Sequence, residues 1–160
     1  MSGTPSASLT AAQEAAIGGA GRTQSGLLLA QDALFAALRR PQPTRERKWA
    51  ELVSQELARV VEALREHRLE VERADGLYAE ILRDAPWAQP RLRQLGAQLR
   101  RLEAEAADLQ VEVRRVEEGD LQALPAIRHD AERLLLSLRD LLSKEADLIY
   151  ERFNQPGAGD

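Results

Sequence analysis

LRQLGAQLRRLEAEAADLQVEVRRV, residues 92–116, decides the fold. Its apolar positions are Leu92, Leu95, Leu99, Leu102, Ala106, Leu109, Val113 and Val116, separated by steps of three and four in strict alternation. That spacing aligns them along one face of a helix, as a seam that packs against other helices. Pro86 and Pro90 bracket the connection before it, and Pro90 suits a first helical position, where its missing N–H goes unused. Gly119 suits the cap at the far end.

The same alternation extends in both directions. Upstream, Val53, Leu57, Val60, Leu64, His67, Val71 and Ala74 predict a helix from Arg45 to about Arg73, widened by Trp49, Leu52 and Val61. Asp75-Gly76 is a turn signal, and Leu77 to Asp84 reads as a short connecting helix with Leu77, Tyr78, Ile81 and Leu82 inward. Downstream, Pro125 starts or kinks a last helix running to about Phe153. Its apolar positions are Ile127, Ala131, Leu134, Leu135, Leu138, Leu141, Leu142, Leu148 and Ile149. A first helix is expected from about Ser25 to Arg40, with Leu27, Leu28, Gln31, Leu34, Phe35 and Leu38 on one face. Pro41-Gln42-Pro43 ends it, and Thr44 is a suitable N-cap for the next.

Each of the three long helices spans about 30 residues, or about 45 Å. Matched lengths joined by short connections favour antiparallel neighbours. The expected architecture is all-α: an up-and-down four-helix bundle with three long helices, one shorter N-terminal helix and a short connecting helix. Residues 1–22, rich in Ala, Gly and Ser, are expected to form a flexible arm, because each glycine disfavours a helix by about 1 kcal/mol relative to alanine. Residues 23–153 form the bundle and residues 154–160 a disordered tail.

Composition narrows the function. A net charge of -4 over 160 residues argues against nucleic acid, which rewards concentrated positive charge. With no cysteine, disulfides and thiolate chemistry are ruled out, and a cytoplasmic location is expected. Arginine outnumbers lysine twenty to two, which we read as the codon bias of a GC-rich, bacterial genome. No signal peptide is visible at the N-terminus, and Ile17–Leu38 is interrupted by Arg22, Gln24, Gln31 and Asp32, so no membrane span is expected. Gly21 to Gly26 mimics the start of a phosphate-binding loop, but Leu27 follows where a Lys-Ser/Thr pair is required.

Few residues carry chemistry. His67 is a polar group in a seam and needs hydrogen-bond partners or a metal. His129 falls beside Asp130 and Glu132 on an outer face. The carboxylate pairs Glu70/Glu72, Glu103/Glu105 and Glu117/Glu118 lie away from the leucine seam and read as solvated surface. Ser54, Ser137 and Ser143 have no nearby base. Arg39, Arg40, Arg45 and Arg47, with Lys48, make one basic end, and Trp87 in a corner loop is a candidate partner anchor.

Two segments, LREHRLEVERADGLYAEILRDAPW (64–87) and LLSKEADLIYERF (141–153), resemble bacterial hemerythrin-like proteins. That family is an up-and-down four-helix bundle holding a di-iron centre through several histidines and two carboxylates. By resemblance, His67 matches a histidine of an early helix. The middle-helix Glu-His pair falls near Gln98-Leu99 and a last-helix histidine near Leu141, so both of those histidines are replaced by leucine. The resemblance therefore implies the bundle and a ligand-depleted member of the family.

The expected function is a non-enzymatic helical bundle without a cofactor, acting through protein–protein contact or self-association, possible homodimerisation included. The first helix is expected to be the loosest member, and an apolar groove left beside it would be the route to a dimer. The alternative is a metal-binding, oxygen or redox hemerythrin-like protein holding iron through His67 with Glu70, Glu72 or Glu103.

Overall fold

The seam of residues 92–116 is buried along its whole length, all eight apolar positions included. The computed structural model describes residues 8–40 and 46–154. Among them every regular element is helical. The α-helices are α1 (Ala11–Arg39), α2 (Glu46–Val71), α3 (Leu77–Asp84), α4 (Gln89–Glu117) and α5 (Leu124–Ile149). Short 3-10 turns at Pro86–Ala88 and Leu121–Ala123 lead into α4 and α5, and a π-helical turn, Tyr150–Asn154, ends the described chain. Pro90 and Pro125 both lie in the first turn of their helices, so Pro125 starts α5 and does not kink it. The Pro41-Gln42-Pro43 stop, the Thr44 cap and the tail beyond residue 154 lie outside the described residues.

The first helix corrects the expectation from sequence. It starts at Ala11, not near Ser25, and its 29 residues equal α4 in length. Thr10 forms a capping box with Gln13: the Thr10 hydroxyl accepts the Gln13 N–H at 3.1 Å, and the Gln13 side chain accepts the Thr10 N–H at 3.0 Å. Alanine-rich sequence behind that cap favours the helix, and packing outweighs the glycines. Gly19 is buried, and a Cβ there would collide with the Glu70 carboxylate of α2, so its bare backbone allows the two helices to close. The Gln13 amide also donates to Asp84 at 2.8 Å, which ties the start of α1 to the end of α3.

α1 packs on α2 and α3, α2 on α4 and α4 on α5, and α1 also meets α5. One apolar core runs through all five helices. Each large side chain removed from water in this way contributes about 1.5–3 kcal/mol. At the rim, arginine–carboxylate pairs join the helices: Arg68 to Glu103 at 2.6 Å and Arg100 to both oxygens of Glu72 at 2.9 and 2.7 Å link α2 with α4. Arg91 donates to Glu151 at 2.6 Å, joining the start of α4 to the turn after α5.

Two side-chain expectations are also corrected. Leu28 and Phe35, assigned to the inner face of the first helix, are exposed, because the longer α1 settles on α2 through Leu27, Ala30, Leu34 and Ala37. In α3, Leu82 is only half-buried and Glu80 is buried in its place.

The α2–α3 corner turns on Gly76, whose φ of -86° is ordinary. The constraint there is space: an added Cβ would overlap the Glu70 carbonyl oxygen and stand 3.1 Å from the Arg73 backbone N and O. We expect Gly76→Ala to destabilise the protein by about 1–3 kcal/mol in urea denaturation, as other overpacked sites do. Gly21→Ala, where nothing lies within 4 Å of the new Cβ, should stabilise α1.

Candidate functional site

The seam positions of α2 and α5 each carry one group that does not belong in a hydrocarbon interior. His67 on α2 and Glu145 on α5 are both buried, and they face one another. His67 Nε2 lies 2.7 Å from Glu145 Oε2. The other carboxylate oxygen, Oε1, accepts the Tyr78 hydroxyl of α3 at 2.6 Å. On the far side of the ring, Nδ1 lies 2.8 Å from the Thr23 hydroxyl of α1. One hydrogen-bonded chain, Thr23–His67–Glu145–Tyr78, thus crosses four helices. Only Thr23, at its edge, is half-buried.

Donor and acceptor rules fix much of this chain. An ionised Glu145 accepts at both oxygens, so Nε2 carries a proton and donates to it. Thr23 has one hydroxyl proton and three neighbours: Nδ1 of His67 and the carbonyls of Gly19 and Ala20, at 3.3 and 3.2 Å. With Nδ1 bare, the hydroxyl donates to the ring. With Nδ1 protonated, the ring donates to Thr23 and the hydroxyl turns to a carbonyl. Burial first, then the adjacent Glu145 carboxylate, pushes the Tyr78 phenol well above the usual tyrosine range.

The other residues singled out from sequence do not converge on His67. Glu103 pairs with Arg68, Glu72 with Arg100 and Arg68, and Glu70 with Arg73. The set His67, Glu70, Glu72 and Glu103 is therefore not assembled around one point. Both ring nitrogens of His67 already have partners, and among the described residues no three His, Cys, Asp or Glu side chains are gathered as metal ligands. The donor set does not fit an iron centre. His129 is exposed, as expected. Glu70, Glu72 and Glu103 are not free surface carboxylates but half-buried members of ion pairs.

Trp87 is 79 % exposed on the turn between α3 and α4. Arg39 and Arg40 lie exposed at the end of α1, with Arg39 stacked on Phe35 at 4.8 Å. Arg47 is exposed beside Gly119, and Arg45 falls outside the described residues. No protein-family model, curated protein or solved structure matches this chain significantly.

Thr23, Tyr78 and Glu145 were not recognised from sequence as partners of His67. Glu145 did carry a signal. It occupies the step between Leu141 and Leu148, an acidic residue at a seam position, as His67 is a basic one on α2.

The chain's energetics are testable. Glu145→Ala leaves His67 and Tyr78 buried without their acceptor and should cost about 3–5 kcal/mol in urea denaturation. Glu145→Gln keeps the shape and can be satisfied by the opposite imidazole tautomer, so about 1 kcal/mol is expected. Stability should also fall above about pH 10, where tyrosine in the unfolded chain loses its proton and folded Tyr78 retains it. Below that pH both states keep the proton and this contribution is constant. Tyr78→Phe should flatten the alkaline limb of the stability curve.

Proposed function

We propose that this chain is a non-enzymatic, up-and-down four-helix bundle that works by contact with another protein or with a second copy of itself. The observation that carries this reading is a division of side chains. The hydrogen-bonded chain in the core pairs its members with one another and keeps His67 and Glu145 from solvent, whereas several large apolar side chains stand outside the core, Trp87 foremost. A reacting group needs a free valence and an approach. A docking surface needs exposed apolar area with a rigid support. The Arg91–Glu151 pair and the reach of Gln98 to Ser137 and Asp140 support opposite directions for α4 and α5. The sequence likeness to hemerythrin-like proteins fits the same reading, as a relative whose metal ligands have been lost. The lack of cysteine suits a reducing cytoplasm, where we place the protein. Among the described residues no helix is long and apolar enough to cross a membrane.

The test uses the two tryptophans. Trp49 is buried under Arg128, so Trp49→Phe leaves Trp87 as the sole reporter. On a contact surface, Trp87 emission should shift to the blue when a binding partner is added, and Trp87→Ala should weaken that association by at least about tenfold. Elemental analysis of protein purified without chelators is the counter-test: near-stoichiometric iron, lost in His67→Ala, would replace this reading with a metal-binding one.

A further inference from the structure

The outer face of α1 differs from that of its neighbours. Of its ten exposed positions from Gly18 to Ala36, only Arg22 and Asp32 are charged, whereas seven of the ten exposed positions from Arg47 to Leu69 on α2 are. Leu29 is 72 % exposed, and Leu28 and Phe35 are 44 % and 43 % exposed. Apolar side chains on the outer as well as the inner face of a helix suit an outer face that a partner covers. The positions are also ordered. Gly18, Gly21, Ser25, Leu28, Asp32 and Phe35 follow steps of three and four, so α1 carries a second seam on its solvent side.

Resting on the contact function proposed above, we infer that this outer seam of α1 pairs with the same seam of a second copy, antiparallel about a twofold axis. Three observations select that occupant. First, with the axis passing between Gly26 and Leu27, Phe35 meets Gly18, Leu28 meets Ser25 and Asp32 meets Gly21 of the second copy, so each large side chain faces a small one. Second, neither Arg22 nor Asp32 belongs to an ion pair among the described residues. Ten residues, about 15 Å of helix, separate them in one chain. The antiparallel alignment brings each within a turn of its opposite in the other chain, twice over. Third, Gly21 has nothing within 4 Å of where a Cβ would stand, which is room for a second backbone to approach. The pairing is self-complementary, as a closed dimer requires.

Light scattering on the full chain, from low to high micromolar concentration, decides the matter. The mass should rise from the 17.8 kDa monomer toward twice that value. Leu28→Glu should weaken dimerisation by at least about tenfold. Arg22→Glu and Asp32→Arg should each weaken it, and the two together should restore it. Gly21→Gln guards against a folding artefact: it should raise the melting temperature, because glycine is a poor helix former, and still abolish the dimer. A monomer at every concentration overturns the inference, and so does a dimer indifferent to Gly21→Gln and Leu28→Glu. A dimer lost in Trp87→Ala but kept in those two variants overturns α1 pairing and leaves the contact function standing.

Discussion

A carboxylate can remain in a hydrocarbon core only if its lone pairs are engaged, and the arrangement of helices around Glu145 follows from that constraint. One oxygen accepts a hydrogen bond from a phenol on α3, the other is hydrogen-bonded to a ring nitrogen on α2, and the ring in turn is met by a hydroxyl on α1. An apolar interface tolerates sliding by one turn at modest loss. A hydrogen bond of 2.6–2.8 Å does not. The buried chain therefore pins the heights of four helices relative to one another, a role in register that buried polar groups also serve in coiled coils. It also explains why α3, only eight residues long, holds its place. Leu77 and Ile81 supply area, and Tyr78 supplies a buried contact with direction.

Charge at the rim repeats the theme at lower stakes. Arg68, Arg100 and Arg91 each cross from one element to a carboxylate on another, and the half-buried Arg68–Glu103 pair, with Arg100 forked onto Glu72, keeps α2 and α4 in line. Such pairs contribute less to stability than the core does, since both partners are solvated in the unfolded chain. Their effect on function is subtractive. Glu70, Glu72 and Glu103, the carboxylates that the metal-binding alternative calls on beside His67, are held by arginines.

The outer faces of the helices are not alike. α2 presents mostly charge, whereas α1 presents glycine, serine, leucine and phenylalanine to solvent. The compositional oddity of the N-terminal third thus has one physical reading on each side of the helix. Inward, Gly19 admits Glu70 to the helix surface. Outward, Gly21 leaves space that nothing in this chain fills.

The leucine periodicity by itself determined the all-helical class, four of the five helices to within a few residues, the corners at Gly76 and Pro86, and the seam position of His67. Those are consequences of local chemistry: a three-four alternation makes one apolar stripe, and an Asp-Gly pair or a proline between two such stripes marks a turn. The extent of α1 was not legible, because glycine's intrinsic preference says nothing of a neighbour that needs its bare backbone, and Gly19 is explained only by Glu70 on another helix. Nor were the partners of His67. Thr23, Tyr78 and Glu145 lie 44, 11 and 78 positions away in sequence, and a hydrogen bond depends on distance in space. Tertiary structure alone decided which groups meet the seam histidine, because only the packing of α1, α3 and α5 onto α2 sets which oxygen stands at each ring nitrogen.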